Sequence, residues 1–289
     1  MNILPAILVP AIVAGTTWII SWHMWRRNSL SRYGHWGGAV GIGLGFVAAN
    51  FIIVSWPPFP PNTAAQWLVY LAAVATLLTT LERRWRLSPE RLWRFRFGMS
   101  ALFMLLLLRS MIMYTWSDPQ ALFWLAVIIP TTAAVWKYLD VFAKRNPGAS
   151  LPMALWLVCT VAGACLLLSG SAMLGQLAGA LAATFGAAVV LGIWARDFTL
   201  SGGGISVFVL IYAGLLWQGC FYSELPIVSG GLLFLAPLTV WVGKMKVIER
   251  LSSKKAALVQ ITVLCTPLAI AAALSFWVAG GLPIEQYDY

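Results

Sequence analysis

The chain has 289 residues, 61% hydrophobic and only 10% charged, with a formal net charge of +10. Soluble domains carry about a quarter charged residues, so this composition excludes an ordinary water-soluble fold. The basic balance could suggest nucleic acid, but position argues against it: the cations sit beside the ends of apolar runs, where they set topology.

Ten apolar segments follow in order, at about 3–22, 37–56, 64–81, 98–116, 120–138, 151–169, 175–194, 205–222, 227–243 and 257–279. Each is long enough to cross a hydrocarbon core of roughly 30 Å at 1.5 Å per residue. The loops are tight and leave no room for a soluble domain. The expectation is an all-α, polytopic membrane protein with a single membrane domain over 1–289.

No basic run precedes the first segment, and Arg26-Arg27 follow it. That order is opposite to a cleaved signal peptide and predicts an uncleaved helix with its N-terminus outside. The first basic loop also holds the two histidines, His23 and His35. Neither lies in a span, so this chain offers no histidine pair to an intramembrane haem. The second segment carries small residues every fourth position, Gly37, Gly41, Gly45 and Ala49, a stripe that lets helix backbones approach closely. Pro57-Pro58-Phe59-Pro60-Pro61 then ends the helix.

After the third segment comes the longest basic stretch, with Arg83, Arg84, Arg86, Arg91, Arg94 and Arg96 interleaved with aromatic and leucine residues. Ser88-Pro89-Glu90 reads as a helix start: a capping hydroxyl, a proline in the first turn and an acid beside it. The pattern predicts a short interfacial helix running into the fourth span. Anionic lipid headgroups are its expected partner, each arginine contributing on the order of 1 kcal/mol; a soluble protein is the alternative.

Arg109, in the fourth segment, is the cation that topology does not explain. An intramembrane ionisable residue is a functional-site hypothesis by default, although a long arginine can also snorkel to the interface. Trp116, seven residues on, would share its helical face and could stack on it. Glu224, in a turn on the same side, is the expected ion-pair partner. The fifth, ninth and tenth segments contain Pro130, Pro237 and Pro267, where a missing N–H could leave unwound backbone. The seventh repeats the small-residue stripe with Gly175, Gly179, Ala183 and Ala187, and the eighth adds Tyr212 and Gln218. Between them, Ser201-Gly202-Gly203-Gly204 lacks the Lys-Ser/Thr ending of a phosphate loop and reads as a flexible turn.

The charges alternate with the segments. Loops after odd-numbered segments hold 18 of the 19 lysines and arginines, counting all but Arg109; the other side has Asp118, Glu224, Glu285 and Asp288. Positive-inside orientation puts the basic loops in the cytoplasm of a cell (inner) membrane and both termini outside. Tryptophans at 18, 22, 25, 56, 67, 85, 93, 116 and 136 fall near segment ends and predict an aromatic belt. The four cysteines lie in apolar segments without a CxxC pair and read as small buried hydrophobes.

Several features suggest two halves of five segments, split near 147. The second and seventh segments share the small-residue stripe, the fifth and tenth a proline beside threonine, the first and sixth an opening Leu-Pro. Five being odd, such halves would be inverted, as in many secondary transporters. No HExxH, Walker loop or clustered aspartates occur, and no acid is expected in mid-span, so no enzyme is predicted. The expected function is a carrier or permease for a small anionic or neutral solute, with Arg109, Pro130, Pro267 and Gln218 at its site. The alternative is a non-catalytic membrane subunit that anchors a larger complex, through protein partners or a second copy. Neither reading requires a cofactor or metal.

Overall fold

The computed structural model describes residues 3–27, 36–61, 63–82, 88–195, 197–244 and 253–281, and none of them is in a strand. The helices are α1 (Ile3–Arg27), α2 (Trp36–Ile53), α3 (Ala64–Glu82), α4 (Pro89–Leu107), α5 (Arg109–Tyr114), α6 (Asp118–Arg145), α7 (Ser150–Leu168), α8 (Ala172–Trp194), α9 (Gly204–Tyr222), α10 (Ile227–Leu235) and α11 (Ser253–Gly281). A 3₁₀ turn, Ala236–Lys244, continues α10.

Seven helices contain stretches long and apolar enough to cross a membrane: Leu4–Ser21, Ala64–Glu82, Asp118–Arg145, Ser150–Leu168, Ala172–Trp194, Gly204–Tyr222 and Val259–Gly280. Gly37–Ile53 and Ile227–Gly243 are apolar but shorter. The predicted fourth span is divided at Leu108, whose φ/ψ of −94°/8° separates α4 from α5. Among the described residues, seven helices are therefore long and apolar enough to cross a membrane.

The bundle is organised around α9. Of its membrane stretch 89% is buried, against 28% for α1 and 22% for α11. Around it stand α2, α3, α4, α6, α7, α8 and α10. Its residues are apolar on all sides, as expected of a helix with no solvent-facing or lipid-facing stripe. The helix begins at a turn that is buried, not loose: Ser201–Gly204 are all enclosed, and Gly202 and Gly203 take φ of 85° and 115°. At Gly203 a side chain would strain the backbone and would also meet Ala39 at 2.8 Å. The connection is pinned to α6 by Thr199 Oγ1, which donates to the Ala143 carbonyl at 2.9 Å.

Both small-residue stripes are contact seams. A Cβ on Gly41 would sit 2.3 Å from Trp18 Nε1 of α1, and one on Gly175 would sit 2.5 Å from Leu167 of α7. Trp18 and Trp136, expected in the interfacial belt, are instead core residues, 2% and 0% exposed.

The three prolines behave differently. Pro130 and Pro267 lie inside unbroken helices, Pro130 exposed and Pro267 half-buried. The unwound backbone expected there is not formed. Pro237 does end its α-helix. It cannot donate to the Leu233 carbonyl four residues earlier, and the Tyr212 hydroxyl of α9 donates to that carbonyl instead, at 3.0 Å.

Candidate functional site

Polar chemistry is gathered at two places, one at each end of α4. The first joins the end of α3, the start of α4 and the end of α6. α4 starts as expected, with Ser88 as N-cap, its hydroxyl accepting from the Arg91 N–H at 3.5 Å, and the helix then runs without interruption to Leu107. Arg91 and Arg94 lie on its exposed face, where Arg94 meets Glu90 at 3.7 Å in a solvent-facing pair. Arg96 is on the other side. It is 4% exposed and donates to Asp140 Oδ2 at 2.6 Å, with Glu82 3.7 Å away. Lys144, one turn beyond Asp140 on α6, reaches the same oxygen at 2.7 Å.

This cluster corrects the expectation that Arg96 belongs with the lipid-facing arginines, and it buries an acid, Asp140, near the end of α6 rather than in mid-span. The physical reason is helix length. α6 continues to Arg145, seven residues past the predicted end of its span, and carries Asp140 into the bundle with Leu139 and Phe142. Two cations and two carboxylates balance there. Arg96 also stacks over Trp136, its guanidinium carbon 5.4 Å from the ring centroid. Arg96 Nε and, one turn deeper, Ser100 Oγ and Trp136 Nε1 are buried with no hydrogen-bond partner among the described residues. Arg83, Arg84 and Arg86 lie outside the described residues.

The second place is about 16 Å further along α4, taking eleven residues at 1.5 Å each. Here the break at Leu108 opens a partly enclosed cavity of about 190 Å³. Its polar lining is Arg109, Ser110, Thr63 and Tyr114; its apolar residues include Trp67, Leu107 and Met113. Three side chains hold the walls. Tyr222 of α9 donates its hydroxyl to the Leu107 carbonyl at 3.0 Å, at the break itself. Gln218, 1% exposed, donates from Nε2 to the Ala64 carbonyl at 3.2 Å and ties α9 to the first turn of α3. Tyr70 donates to the Pro57 carbonyl at 2.8 Å, fixing the proline loop that presents Pro61.

Arg109 is exposed into this space, and its Nε donates to Met113 Sδ at 3.5 Å. It makes no salt bridge among the described residues, Glu224 included. Trp116 does not stack on it, because α5 ends at Tyr114 and the seven-residue register no longer applies. That indole packs edge-on against Phe221, with centroids 4.8 Å apart. Of the predicted site residues, the structure thus brings Arg109 to the cavity and sets Gln218 behind its wall. Pro130 and Pro267 are not among its lining residues.

Among the described residues no three of His, Cys, Asp and Glu come together as metal ligands. Compared with known protein families, curated proteins and solved structures, the chain matches none.

Proposed function

We propose that the chain is a carrier for a small solute, loaded at the Arg109 cavity. The observation that carries this reading is a cation without an ion-pair partner among the described residues, facing an open cavity at a break in a helix. Interrupted helices are where membrane carriers expose backbone and polar groups without placing them against lipid. The other end of α4 is closed by the ion cluster of Arg96, Asp140, Glu82 and Lys144. A cavity at one end and a packed ionic seal at the other are what alternating access requires of one of its states.

The finer topology belongs to the same reading. Ten crossings, with α4–α5 and α10 with its 3₁₀ turn counted as interrupted spans, place both breaks in the fourth and ninth positions. Those are counterparts in a five-plus-five inverted arrangement, as are the glycine-packed pairs α1–α2 and α7–α8. The basic loops then face the cytoplasm, the termini and the Arg109 cavity face outside, and Arg91 and Arg94, with Arg83, Arg84 and Arg86, meet anionic headgroups. The chain carries out no catalysis in this scheme.

Reconstituted vesicles test it. A panel of labelled small carboxylates, sugars, amino acids and amines should include at least one solute taken up above protein-free vesicles, and Arg109→Gln should abolish that uptake. A panel with no uptake sinks the reading. The second reading, a membrane subunit or homo-oligomer, is favoured by α11, whose outer face leaves Ile261, Ile270, Phe276 and Trp277 uncovered. It expects stable partner chains or a second copy to co-purify in mild detergent.

A further inference from the structure

The space at Arg109 lies where the membrane-crossing stretch of α3 begins. Thr63 and Ala64 line it, and the apolar run of that helix starts at Ala64. The space therefore sits at the edge of the hydrocarbon, at the depth of lipid headgroups. Exposed aromatics mark the same level: Tyr114 on the rim, and Trp56, which packs edge-on against Tyr70. Indole and phenol rings favour that depth because one end is apolar and the other wet.

Its chemistry is that of an oxyanion site. The exposed lining is mostly polar, one guanidinium with the hydroxyls of Thr63, Ser110 and Tyr114, and it holds no aspartate or glutamate. The Ser110 side chain also bonds to Tyr222, which anchors that wall. Arg109 makes no salt bridge among the described residues. Its Nε donates to a thioether, Met113 Sδ at 3.5 Å, a weak acceptor. An oxyanion replaces that contact with charge-assisted bonds, two of them parallel where the guanidinium fork meets two oxygens.

The face of α4 toward mid-membrane points to the source of the oxyanion. Leu105 and Leu102 stand one and two turns back from Arg109 and are exposed with it, whereas Phe103 and Met104 face the core. Spacings of three and four put Leu102, Leu105 and Arg109 on one face, an uncovered apolar stripe ending in a cation. Stripe and cation match the two parts of a phospholipid, acyl chain and phosphodiester. We infer that the Arg109 space holds the phosphate of a membrane phospholipid whose acyl chain runs along α4 past Leu105 and Leu102. The space is partly open and leaves the rest of the headgroup in water. The phosphodiester is thus the recognised group, and phosphatidylglycerol and phosphatidylethanolamine both qualify. The binding does not depend on the carrier reading; in a carrier, the lipid is a resident that the solute displaces.

Photolabelling of the purified full chain in a neutral maltoside detergent tests this. The probes are phosphatidylglycerol and diacylglycerol, each with a diazirine in one acyl chain. Phosphatidylglycerol should label the segment containing Leu102 and Leu105 about tenfold more than diacylglycerol, the scale of a charge-assisted bond. Arg109→Gln should reduce that labelling to the diacylglycerol level, and Arg109→Lys should retain part of the excess. Mapping the labelled residues separates this site from lipid on Arg91 and Arg94 at the other end of α4. Equal labelling by the two lipids overturns the proposal, and so does unchanged labelling of Arg109→Gln; the two-lipid comparison on the unaltered chain stands whether or not a variant folds. Soluble glycerol phosphate, added at the concentration of the lipid, is the second arm. Label retained in its presence supports the phospholipid; label displaced by it assigns the site to a free phosphoester and overturns the proposal. Phosphate-dependent labelling without solute uptake in vesicles counts against the carrier alone. Uptake without such labelling counts against the lipid site alone.

Discussion

Replacing Asp140 by alanine isolates the energetics of the ion cluster. Asp140 is 3% exposed and receives two charge-assisted bonds on one oxygen, from Arg96 at 2.6 Å and Lys144 at 2.7 Å. Without it, Arg96 remains buried with Glu82 3.7 Å away as its remaining acidic neighbour. Breaking a buried pair from one side costs about 3–5 kcal/mol, because the stranded charge stays desolvated. Lys144 is different: its side chain is 46% exposed and can return to water, so Lys144→Ala should cost only about 0.3–1 kcal/mol. At roughly 2–4 °C per kcal/mol for a chain of this size, Asp140→Ala should lower the unfolding midpoint in detergent by on the order of 10 °C, and Lys144→Ala by a few degrees at most. The double change Arg96→Met with Asp140→Leu replaces the pair by packed apolar groups and should recover at least half of the loss. If Asp140→Ala is no worse than Lys144→Ala, or the double variant is less stable than Asp140→Ala alone, the cluster is not the buried ionic seal described above.

Three further outcomes follow from the geometry. Tyr212→Phe strands the Leu233 carbonyl that Pro237 has already deprived of its helical donor, at a cost of about 1–3 kcal/mol; adding Pro237→Ala restores a backbone N–H, and a double-mutant cycle by thermal unfolding should show positive coupling. Arg91→Gln with Arg94→Gln should weaken retention of anionic lipid in native mass spectrometry by about fivefold per arginine, with zwitterionic lipid unaffected. Cysteine introduced at Lys144 should react with an impermeant maleimide only from the cytoplasmic side, and cysteine at Thr115 only from the outside. Reversed labelling would invert the orientation read from the charges.

Much of the helical layout is legible in the sequence because hydrocarbon leaves a chain few choices. The limits of α3, α7, α8 and α9 fall within a few residues of the apolar runs that predict them. What is not legible comes from tertiary contacts. Nothing local marks Leu108 as a break, with neither proline nor glycine beside it; the Tyr222 hydroxyl, from a helix more than a hundred residues later, meets the carbonyl there. Pro130 shows the converse, a residue expected to unwind its helix that the surrounding turns accommodate. The ion cluster is not legible because Asp140 and Lys144 follow the apolar run of α6, and only the packing of α6 against α4 brings them to Arg96. A signal was nonetheless present: Trp136, Asp140 and Lys144 are spaced four apart, and Val135, Leu139, Phe142 and Ala143 continue the apolar stripe of α6 past the predicted span. Arg109 was readable as an exception to the charge pattern, and the cavity it faces was not, since cavities belong to no single segment.

The central position of α9 has a consequence for how the protein is made. A helix apolar on every side gains nothing from turning one face to lipid, so its place is set by the neighbours that meet it. Of the neighbours among the described residues, α2, α3, α4, α6, α7 and α8 precede it in the chain and α10 follows. Because membrane and soluble chains alike emerge N-terminus first, these six helices are synthesised before α9. α10 then covers the last open side, and α11 attaches outside it. The order of the segments thus makes the innermost piece among the last to be synthesised, after most of the helices that enclose it.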